Sequence, residues 1–114
     1  MADLIARRLA ARETLVEVAG KRYTLRRPTA YDLSRIYAGI DSGKTYDLLC
    51  RFVVSCNLSE LDLVPGGNAV PAPFDADVWA DYLADTRELW GPLGDALTAL
   101  IEQHTAALEL ASKN

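Results

Sequence analysis

A chain of 114 residues is long enough for one modest hydrophobic core and too short for two. Half of its residues are hydrophobic and a quarter charged, a composition that folds rather than staying disordered, and no apolar run approaches the ~20 residues that span a bilayer. The net charge of −4 is unevenly spread: residues 1–35 hold eight basic and four acidic side chains, whereas residues 36–114 hold four basic and twelve acidic ones. So polarised a chain is suited to docking on a charged partner or stacking on copies of itself.

Residues 1–12 interleave Leu4, Ile5 and Leu9 with Arg7, Arg8 and Arg12, which suits a short helix or arm packing weakly on the body. A long apolar segment and a small-residue cleavage site are both missing there, so no secretory signal is read and the cytosol is the expected compartment.

Residues 13–37 organise the rest. Leu15 and Glu17 alternate with Val16 and Val18, and after a turn at Ala19, Gly20 and Lys21 the return strand sets Tyr23 and Leu25 against Arg22, Thr24 and Arg26. This predicts a β-hairpin over 13–27. Pro28 ends it and biases Arg27 toward an extended backbone. Thr29 then caps a helix, with Asp32 three residues on in a variant of the capping box. Leu33, Ile36, Tyr37 and Ile40 predict one inward stripe, closed by Gly39 and the Asp41-Ser42-Gly43 cluster.

Residues 44–57 are apolar nearly all round, wet only along Lys44, Asp47, Arg51 and Ser55, with Asp47 and Arg51 spaced to pair. They predict one central helix. Cys50 and Cys56 fall within it on different faces, too far apart to bridge, and are expected as buried, reduced thiols. Residues 57–74 carry Pro65, Gly66, Gly67, Asn68, Pro71 and Pro73 and predict an irregular loop, with a brief pairing of 61–64 against 69–70. Asp75 is the expected cap of a helix with an apolar face of Val78, Trp79, Tyr82, Leu83, Leu89 and Trp90 and an outer face of Asp77, Asp81, Asp85 and Glu88. Gly91-Pro92 is read as the interruption, with Pro92 in the first turn of a last helix striped by Leu93, Leu97, Leu100, Ile101, His104, Leu108 and Ala111. The expected fold is therefore α+β, a single domain over 1–114 in which an N-terminal β-hairpin packs on four to five helices.

Three chemical motifs fail on context. The run from Ala38 to Thr45 fits a relaxed phosphate-binding loop, with Lys44 and Thr45 in the key places, but a capped helix precedes it instead of a buried strand. The acids Asp75, Asp77, Asp81 and Asp85 are strung along a helix and do not converge on a cation. His104 is the only histidine and has no nucleophile and acid to work with. No enzyme, metal or cofactor is expected. A basic and aromatic patch of Arg22, Arg26, Arg27 and Arg35 with Tyr23 and Tyr31 is weighed against an acidic chain without a nucleic-acid motif, which argues for a protein partner.

The stretch V-E-V-A-G-K-R-Y-T-L-R-R-P-T-A-Y-D-L, residues 16–33, resembles the opening of tail assembly chaperones of long-tailed bacteriophages, and the later W-A-D-Y-L and L-W-G-P-L segments are compatible with that family. The resemblance implies a small, mostly helical, non-enzymatic protein of the bacterial host cytoplasm, not retained in the virion. It would bind the tape measure protein and help recruit the tail tube protein. A chaperone for an amphipathic helix needs an apolar groove. The candidate client-binding residues are Trp79, Tyr82, Trp90, Leu97, Leu100, Ile101, His104 and Leu108. Arg22, Arg26 and Arg27, with Asp77, Asp81 and Asp85, are the candidates for self-association or charged docking. The competing reading is a small bacterial adaptor or regulator that binds a protein or nucleic acid through its basic N-terminal face.

Overall fold

A computed structural model describes residues 2–113; the first and last positions of the expected 1–114 domain lie outside them. The order is α1 (Ala2–Ala10), β1 (Glu13–Val18), β2 (Lys21–Arg26), α2 (Ala30–Tyr37), α3 (Thr45–Phe52), β3 (Val53–Cys56), α4 (Glu60–Leu63), α5 (Ala76–Asp85), a 3₁₀ turn (Arg87–Leu89) and α6 (Trp90–Ser112). The fold is α+β, a three-stranded antiparallel sheet in the order β1-β2-β3 with helices over one face.

The hairpin forms as its alternation requires. Val16 pairs with Tyr23 and Val18 with Lys21 across a two-residue turn, so Lys21 already belongs to the return strand. Tyr23 and Leu25 are buried, while Glu13, Leu15 and Glu17 lie opposite Arg26, Thr24 and Arg22 on the open face. Glu13 and Arg26 close that face with an ion pair of 2.7 Å. Both turn residues have left-handed backbone, Ala19 at φ 51° and Gly20 at φ 80°, the conformation of a type I′ turn. Gly20 adopts it freely, but Ala19 carries a Cβ that clashes there. Ala19→Asn is expected to stabilise the protein by about 1 kcal/mol and raise its thermal midpoint by ~4 °C, measured by circular dichroism.

The Thr29 cap is formed in full: Thr29 Oγ1 accepts from the Asp32 N–H at 3.1 Å, and the Asp32 carboxylate accepts from the Thr29 N–H at 2.9 Å. The inward stripe of this helix is only half realised. Leu33 and Ile36 are half-buried, but Tyr37 is 77% and Ile40 63% exposed, because α2 is short and lies at the margin.

The expected helix over 44–57 is two elements. α3 ends at Phe52 and the chain turns straight into β3, which pairs with β2 through Tyr23–Cys56, Thr24–Ser55 and Leu25–Val53, with a register irregularity between Thr24 and Leu25. The hairpin leaves one edge of β2 unpaired, and the β-branched Val53-Val54 pair meets that edge better as strand than as helix. Asn57 extends the ladder, its side chain accepting from the Arg22 N–H at 2.7 Å and its N–H donating to the Arg22 carbonyl at 3.1 Å. Cys50 on α3 and Cys56 on β3 are therefore on different elements, and both are half-buried and free rather than fully buried. Arg51 does not use Asp47. It reaches Asp32 on α2 and Asp41 in the following turn, where Arg35 also binds Asp41 at 3.0 Å, and this four-member network ties α2 to α3.

The 57–74 loop holds α4, a single capped turn, where a pairing of 61–64 was expected. Ser59 and Asp62 form a second capping box, and the loop closes through Glu60 N–H to Val70 O, Leu61 N–H to Asn68 O and a bridge between Ser59 and Pro71. Asp75 caps α5 with bonds from the Asp77 and Val78 N–H groups. The break before the last helix falls at Thr86–Leu89, so Trp90 begins α6, and Gly91 and Pro92 sit inside its first turn, where Pro92 has no N–H to leave unsatisfied.

One core joins the layers: Tyr23 and Leu25 from β2, Leu49 and Phe52 from α3, Val53, Leu58, Trp79 and Leu83 from α5, and Leu89, Leu93 and Leu97. Trp79 is its keystone, 2% exposed, tilted against Tyr23 at 5.7 Å and donating its indole N–H to the Leu49 carbonyl at 3.1 Å. The molecule is elongated, 56 × 33 × 24 Å, since α6 has 23 residues and an α-helix of that length runs ~35 Å.

Candidate functional site

The residues singled out from the sequence separate into three groups. Trp79 and Leu97 are core, each 2% exposed, and so do not form a surface for a partner, which corrects the expectation for both. Tyr82 and Trp90 are half-buried. Trp90 packs on Tyr46 at 5.5 Å and donates its indole N–H to the Leu83 carbonyl at 2.8 Å, so most of its bonding capacity is used inside the fold. Leu100, Ile101 and His104 are half-buried on α6, and Leu108 is 57% exposed one to two turns further on. A helix stripe at one period thus passes from core through margin to solvent along its own length.

Beside the first half of that stripe lies a groove of about 260 Å³ between the start of α3 and α6, walled by Thr45, Leu48, Leu49, Trp90, Leu97 and Ile101, with Gly43, Gly91, Gly94 and Asp95 at its rim. Gly94 allows the two helices to approach: a Cβ there would stand 3.0 Å from Thr45 Cγ2. Leu100 and Ile101 continue from the groove toward Leu108 and Leu110, both exposed.

A second groove, about 530 Å³, runs between α4 with its following loop and α5. Its floor is Leu63, Val64, Pro65, Val78 and Tyr82, and its rim is Asp62, Asp77, Asp81 and Asp85. The acids were legible in the sequence; the apolar floor was not, because α4 and α5 are brought together only by the tertiary fold. Among the described residues Asp77, Asp81 and Asp85 have no ion-pair partner, whereas Asp62 binds Lys21 at 2.9 Å.

On the basic side, Arg26 is committed to Glu13, Arg22 is exposed, and Arg27 is half-buried against Arg12. Burial, and then the like charge of Arg12, lower the pKa of Arg27. The segment fitting a phosphate-binding loop is a helix-to-helix connection: Ser42 Oγ donates to Asp47 at 2.6 Å and accepts from the Lys44 N–H at 3.2 Å, and the preceding element is α2. Among the described residues no group of three or more His, Cys, Asp or Glu side chains is placed to hold a metal ion, and no helix is long and apolar enough to cross a membrane.

Two ionisable groups, Asp62 at the second groove and Tyr23 in the core, give the fold a pH window. The Ser59 N–H, then the Lys21 ammonium and the Ser59 hydroxyl, hold the Asp62 carboxyl down at about 2, below its ordinary 3.8. Burial, with Tyr82, Cys56 and Asp62 nearby, pushes the Tyr23 phenol from 10 up to about 12. The unfolded chain takes up the Asp62 proton before the folded one does, so this stabilisation is complete above pH 3.8 and is lost as pH falls through about 2. The unfolded chain likewise releases the Tyr23 proton first, so that stabilisation is complete below pH 10 and is lost as pH rises through about 12. Urea midpoints measured across pH are expected to show a flatter acid limb in Asp62→Asn and a flatter alkaline limb in Tyr23→Phe.

The structure thus defines a small α+β domain with an acid-rimmed apolar groove between α4 and α5 and a last helix whose Leu108 and Leu110 are exposed. No family model matches the chain, and neither does any curated protein or solved structure.

Proposed function

We propose that the protein is a non-enzymatic tail assembly chaperone of a long-tailed bacteriophage, which binds the tape measure protein and helps recruit the tail tube protein in the cytoplasm of the bacterial host. The observation that carries the reading on the structural side is the α6 stripe: Leu100, Ile101 and His104 at the margin of the body, then Leu108 exposed beyond it. An amphipathic client helix laid along this stripe would be read at helical spacing and would bury side chains that the fold leaves in water. The groove beside Leu97, where Gly94 lets α3 and α6 approach, extends the same track inward. The resemblance of residues 16–33 to that family supplies the class of client.

The test is co-expression with the tape measure protein of the same genome, followed by co-purification and light scattering. A soluble complex is expected only when both are present, and truncation after Ile101, which leaves every core residue in place, is expected to abolish it while the truncated protein stays folded. A tape measure protein that remains insoluble beside a chaperone purifying alone would sink the reading.

A further inference from the structure

We infer that the end of the hairpin away from its turn holds a binding site for a phosphate dianion, free or as a monoester, clasped between the guanidinium groups of Arg12 and Arg27.

The two strands set these residues opposite one another. Glu13 and Arg26 are the last pair of the ladder, and the next pair outward is Arg12 and Arg27, joined through the Arg27 N–H and the Arg12 carbonyl at 2.7 Å. Side chains alternate along a strand, so Arg27 follows the buried Tyr23 and Leu25 onto the face under the helices, while Arg26 lies with Arg22 and Thr24 on the open face. Arg12, directly across, shares the inner face, and both arginines are half-buried. Their charges are close enough for Arg12 to add to burial in lowering the Arg27 pKa.

Like charges directly opposite on paired strands repel, and partial burial weakens the screening between them. The fold supplies no acid to balance them. Among the described residues neither Arg12 nor Arg27 forms an ion pair. The acids nearest in sequence are committed elsewhere: Glu13 binds Arg26 on the open face, and Asp32 binds Arg51 and caps α2.

Most of the donors are unspent as well. A guanidinium has five N–H groups. Arg27 gives one to the Pro28 carbonyl at 3.0 Å, and Arg12 gives one to the Arg8 carbonyl at 3.3 Å. Arg12 Nε is buried and has no hydrogen-bond partner among the described residues, a costly state for a charged donor. The planar fork of a guanidinium matches the oxygens of a carboxylate or a phosphate. Charge decides between them. A single carboxylate leaves one of the two cations unbalanced, whereas a phosphate dianion neutralises both and has oxygens for both forks. Neither arginine lies on α6, so phosphate binding here is separate from client binding there.

The test is titration of the isotope-labelled full-length protein with inorganic phosphate at constant ionic strength, followed by NMR through the arginine Nε–Hε signals. Those of Arg12 and Arg27 are expected to shift saturably while that of Arg22 on the open face stays in place, and acetate is expected to move none of them. This readout needs no variant. Arg12→Gln and Arg27→Gln should each weaken phosphate binding at least about tenfold, and phosphate should raise the thermal midpoint of the original protein but of neither variant. Phenyl phosphate separates the two sources: a site for monoesters binds it as it binds phosphate, and a site for the free ion binds phosphate alone. Arg12 and Arg27 signals that do not move, signals that move as far with acetate, or phosphate binding that survives both substitutions would each overturn the inference.

Discussion

Trp79→Ala is expected to remove ~3–5 kcal/mol, a large share of the ~5–15 kcal/mol that holds a domain of this size folded. The side chain is 2% exposed and stands where β2, α3 and α5 meet, so truncation opens a cavity between three elements that cannot all close on it. Its indole N–H also satisfies the Leu49 carbonyl, which lies in the last turn of α3 just before the chain becomes strand. Trp79→Phe keeps most of the ring and loses that bond while the Leu49 carbonyl keeps the one from the Val53 N–H, with an expected cost of about 2 kcal/mol, mostly from the unfilled volume. Trp90→Phe makes the comparison: its ring is half-buried, and losing the bond to the Leu83 carbonyl is expected to cost about 1 kcal/mol. Urea unfolding followed by far-ultraviolet circular dichroism ranks the three. A Trp90→Phe protein weaker than Trp79→Phe would show that the keystone has been misplaced.

Leu97→Ala and Leu108→Ala delete the same atoms from the same stripe of the same helix, and the expected outcomes differ by an order of magnitude. Leu97 is 2% exposed and its truncation should cost ~2–5 kcal/mol. Leu108 is 57% exposed, and its truncation should fall within about 0.5 kcal/mol of zero. Client binding is expected to invert the order, with Leu108→Ala losing affinity in a protein of unchanged stability. A Leu108→Ala protein that is destabilised as much as Leu97→Ala would mean that the end of α6 folds back on the body in solution.

The parts of this fold that were legible in the sequence are those set by near neighbours. The alternation of 13–27 and the Thr29 and Asp32 pair each specify local geometry within a few residues, and both appear in the structure as read. Residues 44–56 were misread because an almost unbroken apolar run satisfies helix and buried strand alike. What decides between them is the unpaired edge of β2, some thirty residues earlier, and the only local hint is the Val53-Val54 pair followed by Asn57. Pro92 stands in the first turn of the last helix as its missing N–H suggested, and only the break itself falls earlier, at Thr86–Leu89 instead of Gly91-Pro92. The acids of α5 were visible as a row, but a groove needs a second wall, and Leu63, Val64 and Pro65 gave no sign of facing them. A helical stripe does not say where the body ends along it; only the nearness of Leu108 to the end of the helix suggests that it runs past the core that buries Leu97.

The central strand also dictates how the chain assembles. β2 has one neighbour close in sequence and another about thirty residues downstream, as the Val18–Lys21 and Tyr23–Cys56 pairs show. A two-stranded hairpin in water is marginal by itself, so the local partner cannot hold β2 in place alone. The distant partner is fused to α3 with no linker between Phe52 and Val53, so seating Leu49 and Phe52 in the core carries β3 to the open edge in the same movement. Helix docking and sheet completion are then one event, and there is little room on the way to the native state for a populated species with a finished sheet and loose helices. During synthesis the basic hairpin therefore waits, flickering, until about half the chain has emerged.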